Sequence, residues 1–258
     1  VAKVKILKLF DDKKRFYQVI GTKRFEISKA NVVLIRQNPP FDMNYINSTL
    51  FLEIIKNKTK IINDPFSVRN ISEKLFSINF MKYMPPTIFT KNYNEIKNFY
   101  NKYRKIVIKP INSYGGKNIL FINNTFNQQL IKNYLKKMDH VMVQKFLPLI
   151  KKGDKRVFII NGKIKGVFKR VPKKNSILSN LGQGGKALKT SLNREERKIA
   201  TFVAKKLKKQ NIHFAGIDLI SNKLVGDINI TSPTGLKQFK ELEGLNLAKE
   251  FWDTLKLK

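Results

Sequence analysis

Apolar and basic residues alternate along the first ten positions of the chain, where lysines separate valine, isoleucine and leucine side chains. Alternation with a period of two is typical of a β-strand. The apolar run at 32–36 predicts a buried strand, and residues 45–56 carry apolar side chains at helical spacing. With a further short strand at 60–63, these patterns predict a small α/β segment at the start of the chain.

The same patterns predict alternating strands and helices in the rest of the chain. Strands are expected at 85–90, 105–110, 118–122, 141–147, 156–160 and 163–169, the last two joined by the turn pair Asn161-Gly162. Helices are expected at 95–102, after Asn193 and at 243–256. Asn193 is a suitable helix N-cap because Glu196 follows three residues later, as in a capping box. These elements predict a mixed α/β (α+β) protein.

The chain is strongly basic, but its charge does not by itself indicate a nucleic-acid-binding protein. The formal net charge is +34, but only nine of the 52 basic residues are Arg, and the lysines are spread over every segment. A specific nucleic-acid reader more often shows clustered Arg and exposed aromatic residues, so we expect only weak, salt-sensitive adhesion to polyanions. The chain has no Cys, no signal peptide and no apolar run of membrane-spanning length. We therefore expect a cytoplasmic protein with no membrane partner.

Two carboxylates and one carboxamide, Asp218, Asp227 and Asn229, fall on a predicted β-hairpin. Residues two apart on a strand share a face, so Asp227 and Asn229 point the same way. A turn at Asn222-Lys223 would place Asp218 opposite Asp227. Hard oxygen ligands suit Mg²⁺, which often takes one or two carboxylates and leaves positions for nucleotide phosphates. An ordinary hairpin with polar residues on its solvent face is the alternative, and the spacing alone leaves both open.

Other segments have chemistry that fits a nucleotide site. Lys109 ends a strand just before the loop that contains Gly115-Gly116, and backbone N–H groups in such a loop bind phosphate, although the GxxxxGK[ST] pattern is absent. The strand that ends before Pro148 could present free backbone groups to an adenine edge, and the Gly-rich segment 181–185 predicts a flap over a site. Each also has a plain alternative: a solvated lysine, a hairpin turn, an edge strand or a flexible loop.

Several segments, in the same order along the chain, resemble bacterial glutathione synthetase, a family with the ATP-grasp fold. The matching segments are 36–42, 63–76, 84–87, 107–110, 152–156 and 227–234, so the resemblance covers nearly the whole chain. Residues 73–76 and 227–234 match motifs specific to that family. The resemblance implies an ATP-grasp domain at 71–258 and a partial N-terminal α/β (pre-ATP-grasp) domain at 1–70.

The resemblance also implies an activity and a set of site residues. The activity is an ADP-forming ligase that joins γ-glutamylcysteine to glycine, through an acyl phosphate formed from the dipeptide and ATP. The nucleotide-binding residues would be Lys74, Lys109, Gly115, Gly116, Gln144, Lys145, Phe146, Leu147 and Asp154. Asp218, Asp227 and Asn229 would hold Mg²⁺ or Mn²⁺, Arg156 and Arg170 would be catalytic, and Arg36 and Asn180 would bind the dipeptide. The family suggests a homo-oligomer, and we assign no role to His140 or His213.

Four departures from the family pattern bear on activity. In the family, another strand and helix normally precede the region where this sequence starts, and Asp227 stands where Glu is usual. Ser113 replaces a loop glycine, which we expect to restrict the backbone there. Leu178 replaces an arginine, so we assign it no substrate contact. These departures predict a protein that binds Mg-ATP but ligates slowly or not at all. A degenerate nucleotide-binding protein and an ATP-grasp carboxylate–amine ligase with another acceptor are the alternatives.

Overall fold

The computed structural model describes residues 1–12, 15–174 and 176–256. The chain begins with an exposed antiparallel hairpin of strands β1 (Ala2–Leu9) and β2 (Tyr17–Phe25). A two-stranded parallel sheet follows, formed by β3 (Val32–Leu34) and β4 (Lys60–Ile62) and connected through helix α1 (Met43–Ile54). Helix α2 (Pro65–Asn70) and a 3₁₀ helix (Leu75–Tyr83) lead into the rest of the chain. The predicted α/β segment is thus present, although its strands are shorter than the pattern suggests.

A four-stranded antiparallel sheet forms the next part of the molecule. Its strands are β5 (Thr87–Thr90), β6 (Ile106–Pro110), β7 (Leu120–Ile122) and β8 (Val141–Lys145), in the order β5-β8-β6-β7. Helices α3 (Tyr93–Tyr103) and α4 (Gln128–Met138) pack on this sheet, with Ile96 and Ile131 fully buried against its isoleucines and valines. This apolar cluster fixes the sheet that forms one wall of the site described below.

A five-stranded antiparallel sheet forms the opposite wall. Its strands are β9 (Asp154–Ile160), β10 (Lys163–Val171), β11 (Lys186–Lys189), β12 (Phe214–Ile220) and β13 (Lys223–Asn229), in the order β11-β10-β9-β12-β13. Helix α5 (Arg194–Lys209) buries Ile199, Val203 and Leu207 in the same core as Val157 and Ile217. The predicted capping box of Asn193 and Glu196 is confirmed at its N-terminus.

The closing helix predicted at 243–256 is present but shorter, and the helix that precedes it was not predicted. The structure has two short helices, α6 (Leu236–Glu243) and α7 (Leu247–Asp253), separated at Gly244. Gly244 has a φ of +74°, a left-handed conformation that ends a helix. Both helices pack on the five-stranded sheet through Phe239, Leu247 and Phe251. Across the described parts of the chain, no helix has the length and apolar character needed to cross a membrane.

Candidate active site

A cleft lies between the four-stranded and five-stranded sheets and has about 680 Å³ of space free of protein atoms, part of which is open to solvent. Aliphatic side chains from both sheets line much of it, among them Val107, Ile220 and Val225. Charged side chains from β6, β9, β10, β12 and β13 also line it. A mostly apolar cleft with a few converging polar groups is typical of a small-molecule site.

The structure brings ten of the predicted site residues to this cleft. They are Lys109, Gln144, Lys145, Phe146, Leu147, Asp154, Arg170, Asn180, Asp218 and Asp227. The other predicted residues, Lys74, Gly115, Gly116, Arg156 and Asn229, do not line it, and Arg36 lines a separate cavity beside Phe214 and Trp252. The sheet topology therefore collects most of the predicted nucleotide-binding residues on one surface.

Two buried lysines hold the Asp227 carboxylate. Lys109 Nζ lies 3.2 Å from Asp227 Oδ2 and donates to the Val225 carbonyl at 2.9 Å. Lys74 Nζ lies 3.8 Å from Asp227 Oδ1 and donates to the Ser113 carbonyl at 2.5 Å. Burial lowers the pKa of Lys74, and the Asp227 carboxylate opposes that effect. Two ammonium groups beside one carboxylate leave excess positive charge, which suits phosphate binding.

A cluster of two arginines and two aspartates lies next to this group. Asp154 stands opposite Arg170 on β9 and β10, and Arg156 stands opposite Asp218 on β9 and β12. Arg170 Nε and Nη2 donate to the two Asp154 oxygens at 2.9 and 2.6 Å. Arg156 Nε and Nη2 donate to the two Asp218 oxygens at 2.5 and 3.0 Å, and Arg170 Nη2 is also 2.8 Å from Asp218. All four side chains are buried, so their charges neutralise one another without solvent.

The two aspartates of this cluster differ in pKa because they have different partners. Burial raises the pKa of Asp154, which is paired with the single guanidinium of Arg170. Burial also acts to raise the pKa of Asp218, but the guanidiniums of Arg156 and Arg170 outweigh it and lower that pKa to about 2. Asp218 is therefore a stable carboxylate and the main counter-charge of both arginines.

The hairpin that carries Asp218 and Asp227 differs in detail from the prediction. The turn is Ser221-Asn222, both with positive φ, and not Asn222-Lys223. The register then shifts between Ile217 and Leu219, so that Ile217 faces Ile228. The shift restores the register that the predicted turn would have given, and Asp218 and Asp227 both reach the cleft.

The oxygen donors here fit Mg²⁺ in type, but they are not equally available. Both Asp218 oxygens already accept from guanidiniums, whereas the Asp227 side chain is 31% exposed. Asn229 donates through Nδ2 to the Gly216 carbonyl at 3.2 Å, which leaves its Oδ1 as an acceptor. No group of three or more His, Cys, Asp or Glu side chains in the described part of the chain could hold a metal. Any Mg²⁺ would therefore need amide or phosphate oxygens as well as carboxylates, as Mg²⁺ at nucleotide sites usually does.

Residues 144–147, the predicted adenine hinge, line the cleft, but two of their backbone N–H groups already donate to carbonyls of the protein. The Lys145 N–H donates to the Pro86 carbonyl at 2.9 Å, and the Phe146 N–H donates to the Lys105 carbonyl at 2.9 Å. The expected free backbone groups of this segment therefore do not include these two N–H groups. An adenine contact there would use carbonyl oxygens or the ring of Phe146, which lies 4.4 Å from that of Phe121 between centroids.

The predicted phosphate loop, which contains Gly115-Gly116, lies against residues 178–180, next to the predicted flap at 181–185. Gly115 and Gly116 have φ of +63° and +77°, and a Cβ at Gly116 would lie 2.8 Å from Asn180 Nδ2 and 3.3 Å from Leu178 Cδ2. Ser113 does not have a positive φ, so its side chain adds no left-handed strain in this conformation. Three residues of this loop are left-handed: the two glycines, which suit that conformation, and Asn118, with a φ of +58°.

The sequence patterns indicated neither Ser179, which belongs to the site, nor the contacts of Glu73, which lies outside the cleft. Ser179 lines the cleft and donates its hydroxyl to Asp154 Oδ2 at 2.8 Å. Glu73 Oε1 accepts from the backbone N–H groups of Ile230 and Thr231 and from the Thr231 hydroxyl, at 2.8, 3.1 and 2.9 Å. Both contacts join distant parts of the chain, so local periodicity carries no signal for them.

Comparison with known proteins gives consistent matches over the whole chain. Family models described as the prokaryotic glutathione synthetase N-terminal domain and ATP-grasp domain match residues 1–69 and 73–244. The glutathione synthetase of Bradyrhizobium diazoefficiens is 38% identical over 261 residues, covering 100% of this chain and 83% of that protein. That of Buchnera aphidicola subsp. Acyrthosiphon pisum is 35% identical over 264 residues, covering 100% of this chain and 82% of that protein.

Solved structures share the fold at low sequence identity. D-cycloserine synthetase DcsG matches with a TM-score of 0.68 and 14% identity, covering 90% of this chain and 86% of that one. The ATP-grasp ligase PsnB, solved in complex with a minimal precursor, Mg and ADP, matches with a TM-score of 0.62 and 14% identity, covering 97% of this chain and 84% of that one. The expected ATP-grasp fold is confirmed by these matches and by the family model.

Proposed function

We propose, from the premise that the chain belongs to the prokaryotic glutathione synthetase family, that its cleft binds ATP and that the chain joins γ-glutamylcysteine to glycine. The chain is an ATP-dependent, ADP-forming ligase of glutathione biosynthesis, and its family uses ATP and Mg²⁺. The assignment of tasks to individual residues below rests on the geometry of the cleft.

The apolar part of the cleft would hold the adenine ring, and the lysines would hold the phosphates. Phe146 and Leu147 line the apolar part beside Gln144. Lys109 and Lys74 place two ammonium groups at Asp227, where negatively charged phosphate oxygens would share them. The loop at Gly115-Gly116 would add backbone N–H groups.

Asp154 would bind the ribose through an oxygen that Ser179 now occupies. The Ser179 hydroxyl donates to Asp154 Oδ2, and a ribose hydroxyl is a donor of the same kind. Nucleotide binding would exchange one hydroxyl for the other. Asp154 would stay oriented because Arg170 holds both of its oxygens.

Asp227 and Asn229, with Asp218 if it exchanges a guanidinium contact, would hold the metal ion, which when bound neutralises phosphate charge. The protein residues then position the reacting groups. The carboxylate of γ-glutamylcysteine attacks the γ-phosphate of ATP to give an acyl phosphate and ADP, and the amine of glycine displaces phosphate to form the amide. The flap would exclude water that could hydrolyse the acyl phosphate.

Arg156 and Arg170 would act at the reacting carboxylate through the N–H groups that do not donate to aspartate. The contacts to Asp154 and Asp218 use Nε and Nη2 of each arginine. Arg156 Nη1 is directed at the Thr234 carbonyl at 3.4 Å, a long contact that a carboxylate could replace. The aspartates would thus orient the two guanidiniums for substrate, which is electrostatic preorganisation.

We also propose a cytoplasmic homo-oligomer with a domain boundary near residue 70, and substrate contacts by Arg36 and Asn180. Asn180 lines the cleft, which supports a substrate contact by its side chain. Arg36 lies in another cavity, where its Nη2 donates to the Pro233 carbonyl at 3.1 Å, so it would act on substrate from the 227–234 motif side.

The meeting of Lys74 and Lys109 at Asp227, which lines the cleft, is the observation that supports the proposal most strongly. The test is to incubate the protein with Mg-ATP, γ-glutamylcysteine and either glycine or another small amine, and to identify products by mass spectrometry. Glutathione formed with glycine, in preference to the products of alanine or serine, is the expected result. Ligation to another amine with none to glycine would contradict the choice of acceptor.

A further inference from the structure

A second cavity, on the far side of the contact between Lys74 and Ser113, contains an unpartnered polar group. Tyr45 of α1 is 1% exposed, and its hydroxyl is the one buried side-chain polar atom without a hydrogen-bond partner in the described part of the chain. Buried polar groups are nearly always hydrogen-bonded, because leaving one unpaired destabilises the fold. A hydroxyl that pairs only when a ligand is present would explain this exception.

The cavity around Tyr45 has about 690 Å³ of space free of protein atoms, part of which is open to solvent, and three kinds of polar group. Glu73 lines it, and all three hydrogen bonds to its carboxylate go to Oε1, so that Oε2 accepts none from the described residues. Arg69 also lines it, with Nη2 2.6 Å from Glu53 and other N–H groups outside that pair. Burial, with a contribution from Glu73, raises the pKa of Tyr45 to about 12, so the hydroxyl remains a neutral donor near pH 7.

These three groups complement the head of a free amino acid. A carboxylate oxygen is a partner for an ammonium group, and a hydroxyl and a guanidinium are donors to a carboxylate. We infer that this cavity binds the zwitterionic amino-acid head of a substrate, with its ammonium at Glu73 and its carboxylate at Tyr45 and Arg69. The inference rests on the proposed function, in which both glycine and the γ-glutamyl end of γ-glutamylcysteine carry such a head.

The position of the cavity agrees with this use. Ser113 and Tyr114 of the phosphate loop line it, and Thr231 lines it from the segment that carries the predicted metal ligands. Lys74, next to Glu73 in the chain, reaches from this side to within 3.8 Å of Asp227 in the nucleotide cleft. A substrate held by its head in the cavity would therefore lie beside the phosphate-binding residues.

The test compares Tyr45→Phe with a matched variant, Tyr100→Phe. Tyr100 is on α3, and its hydroxyl donates to the Asn124 carbonyl at 3.0 Å. Tyr100 lines neither the cleft nor the cavity around Tyr45. We expect Tyr45→Phe to raise the KM for one amino-acid substrate about three- to tenfold, the value of one lost hydrogen bond, without changing the KM for ATP. The same variant should raise the Tm of the ligand-free protein by about 2–4 °C because it removes the unpaired hydroxyl. Tyr100→Phe should lower the Tm and leave every KM unchanged.

The KM values for glycine and γ-glutamylcysteine show which of the two substrates places its amino-acid head in the cavity. A higher KM for glycine alone assigns the cavity to glycine, and a higher KM for γ-glutamylcysteine alone assigns it to the γ-glutamyl end. Glu73→Gln, which keeps an oxygen for the Thr231 contacts but removes the charge, should raise the same KM. A raised Tm with both KM values unchanged in Tyr45→Phe would overturn the inference, since the hydroxyl would then be only a structural defect.

Calorimetric titration of glycine and γ-glutamylcysteine into the wild-type protein keeps this test separate from the proposed function. If the wild-type protein shows no ligation, the proposed function fails, but binding of either compound that weakens in Tyr45→Phe still supports the cavity assignment. Absence of binding by both compounds to the wild-type protein would overturn it.

Discussion

Replacement of Asp218 by Asn removes one charge from a buried cluster whose charges otherwise balance. The side chain is 7% exposed, and its oxygens lie 2.5 and 3.0 Å from Arg156 and 2.8 Å from Arg170. The variant would leave two guanidiniums with the single carboxylate of Asp154. Breaking a buried ion pair in this way costs about 3–5 kcal/mol of stability. The pKa of about 2 gives an independent figure, since a carboxylate with an unfolded pKa near 3.9 then contributes about 2.5 kcal/mol at pH 7.

The assay is urea unfolding of Asp218→Asn at pH 7, with and without Mg-ATP. We expect a loss of about 2.5–5 kcal/mol that is already present without ligand, because the arginines and not the metal are the partners in the free protein. Asp253→Asn is the matched control, since Asp253 is paired with Lys249 at 2.8 Å but is 59% exposed, and its variant should unfold like wild type. A loss below about 1 kcal/mol without ligand would refute the structural role of Asp218.

Three further predictions concern Asp218, Gly226 and Lys109. The stability due to Asp218 is fully present above its unfolded pKa and is lost as the pH falls from about 5 to 2. Asp218→Asn should therefore flatten the acid side of a curve of unfolding free energy against pH. An unchanged acid side would contradict the lowered pKa. Gly226→Ala should lose more than about 1 kcal/mol in thermal unfolding, because φ is +82° and the new Cβ would lie 2.9 Å from Met142 Sδ; an unchanged Tm would contradict this. Lys109→Met should raise the KM for ATP about 10- to 100-fold through loss of a charge-assisted contact while the KM for glycine stays the same, and an unchanged KM for ATP would exclude Lys109 from the phosphate site.

Local signals in the sequence predicted the elements well where one segment carries the whole cause. The capping box at Asn193 and Glu196 and the turn at Asn161-Gly162 are both present, because each depends on a few adjacent residues. Glycine 244 could have predicted the break between α6 and α7, since a glycine at that place ends helices readily.

The pairs within the arginine–aspartate cluster could not be predicted in the same way. Continued without a bulge, the turn at Asn161-Gly162 would set Asp154 opposite Lys169. The register shifts by one residue between Ile164 and Gly166, and Asp154 instead faces Arg170.

The shift occurs where the C-terminal helices approach the sheet. A Cβ at Gly166 would lie 2.7 Å from Phe239 and 2.8 Å from Leu247, so the strand at this point is shaped by packing against α6 and α7. Those helices lie about 70 residues further along the chain, and no local pattern reports on them. The same reasoning applies to Ser179 and Glu73, whose partners are distant in sequence.

Phosphate release by the purified protein, with each of Mg-ATP, γ-glutamylcysteine and glycine omitted in turn, tests the central claim most directly. The account predicts release that requires all three, because the carboxylate, the γ-phosphate and the amine must meet in one cleft before phosphate leaves. The departures at Asp227 and Leu178 predict that this release is slow. Absence of release with all three present, while ATP still raises the Tm, would contradict it and leave a nucleotide-binding protein without ligase activity.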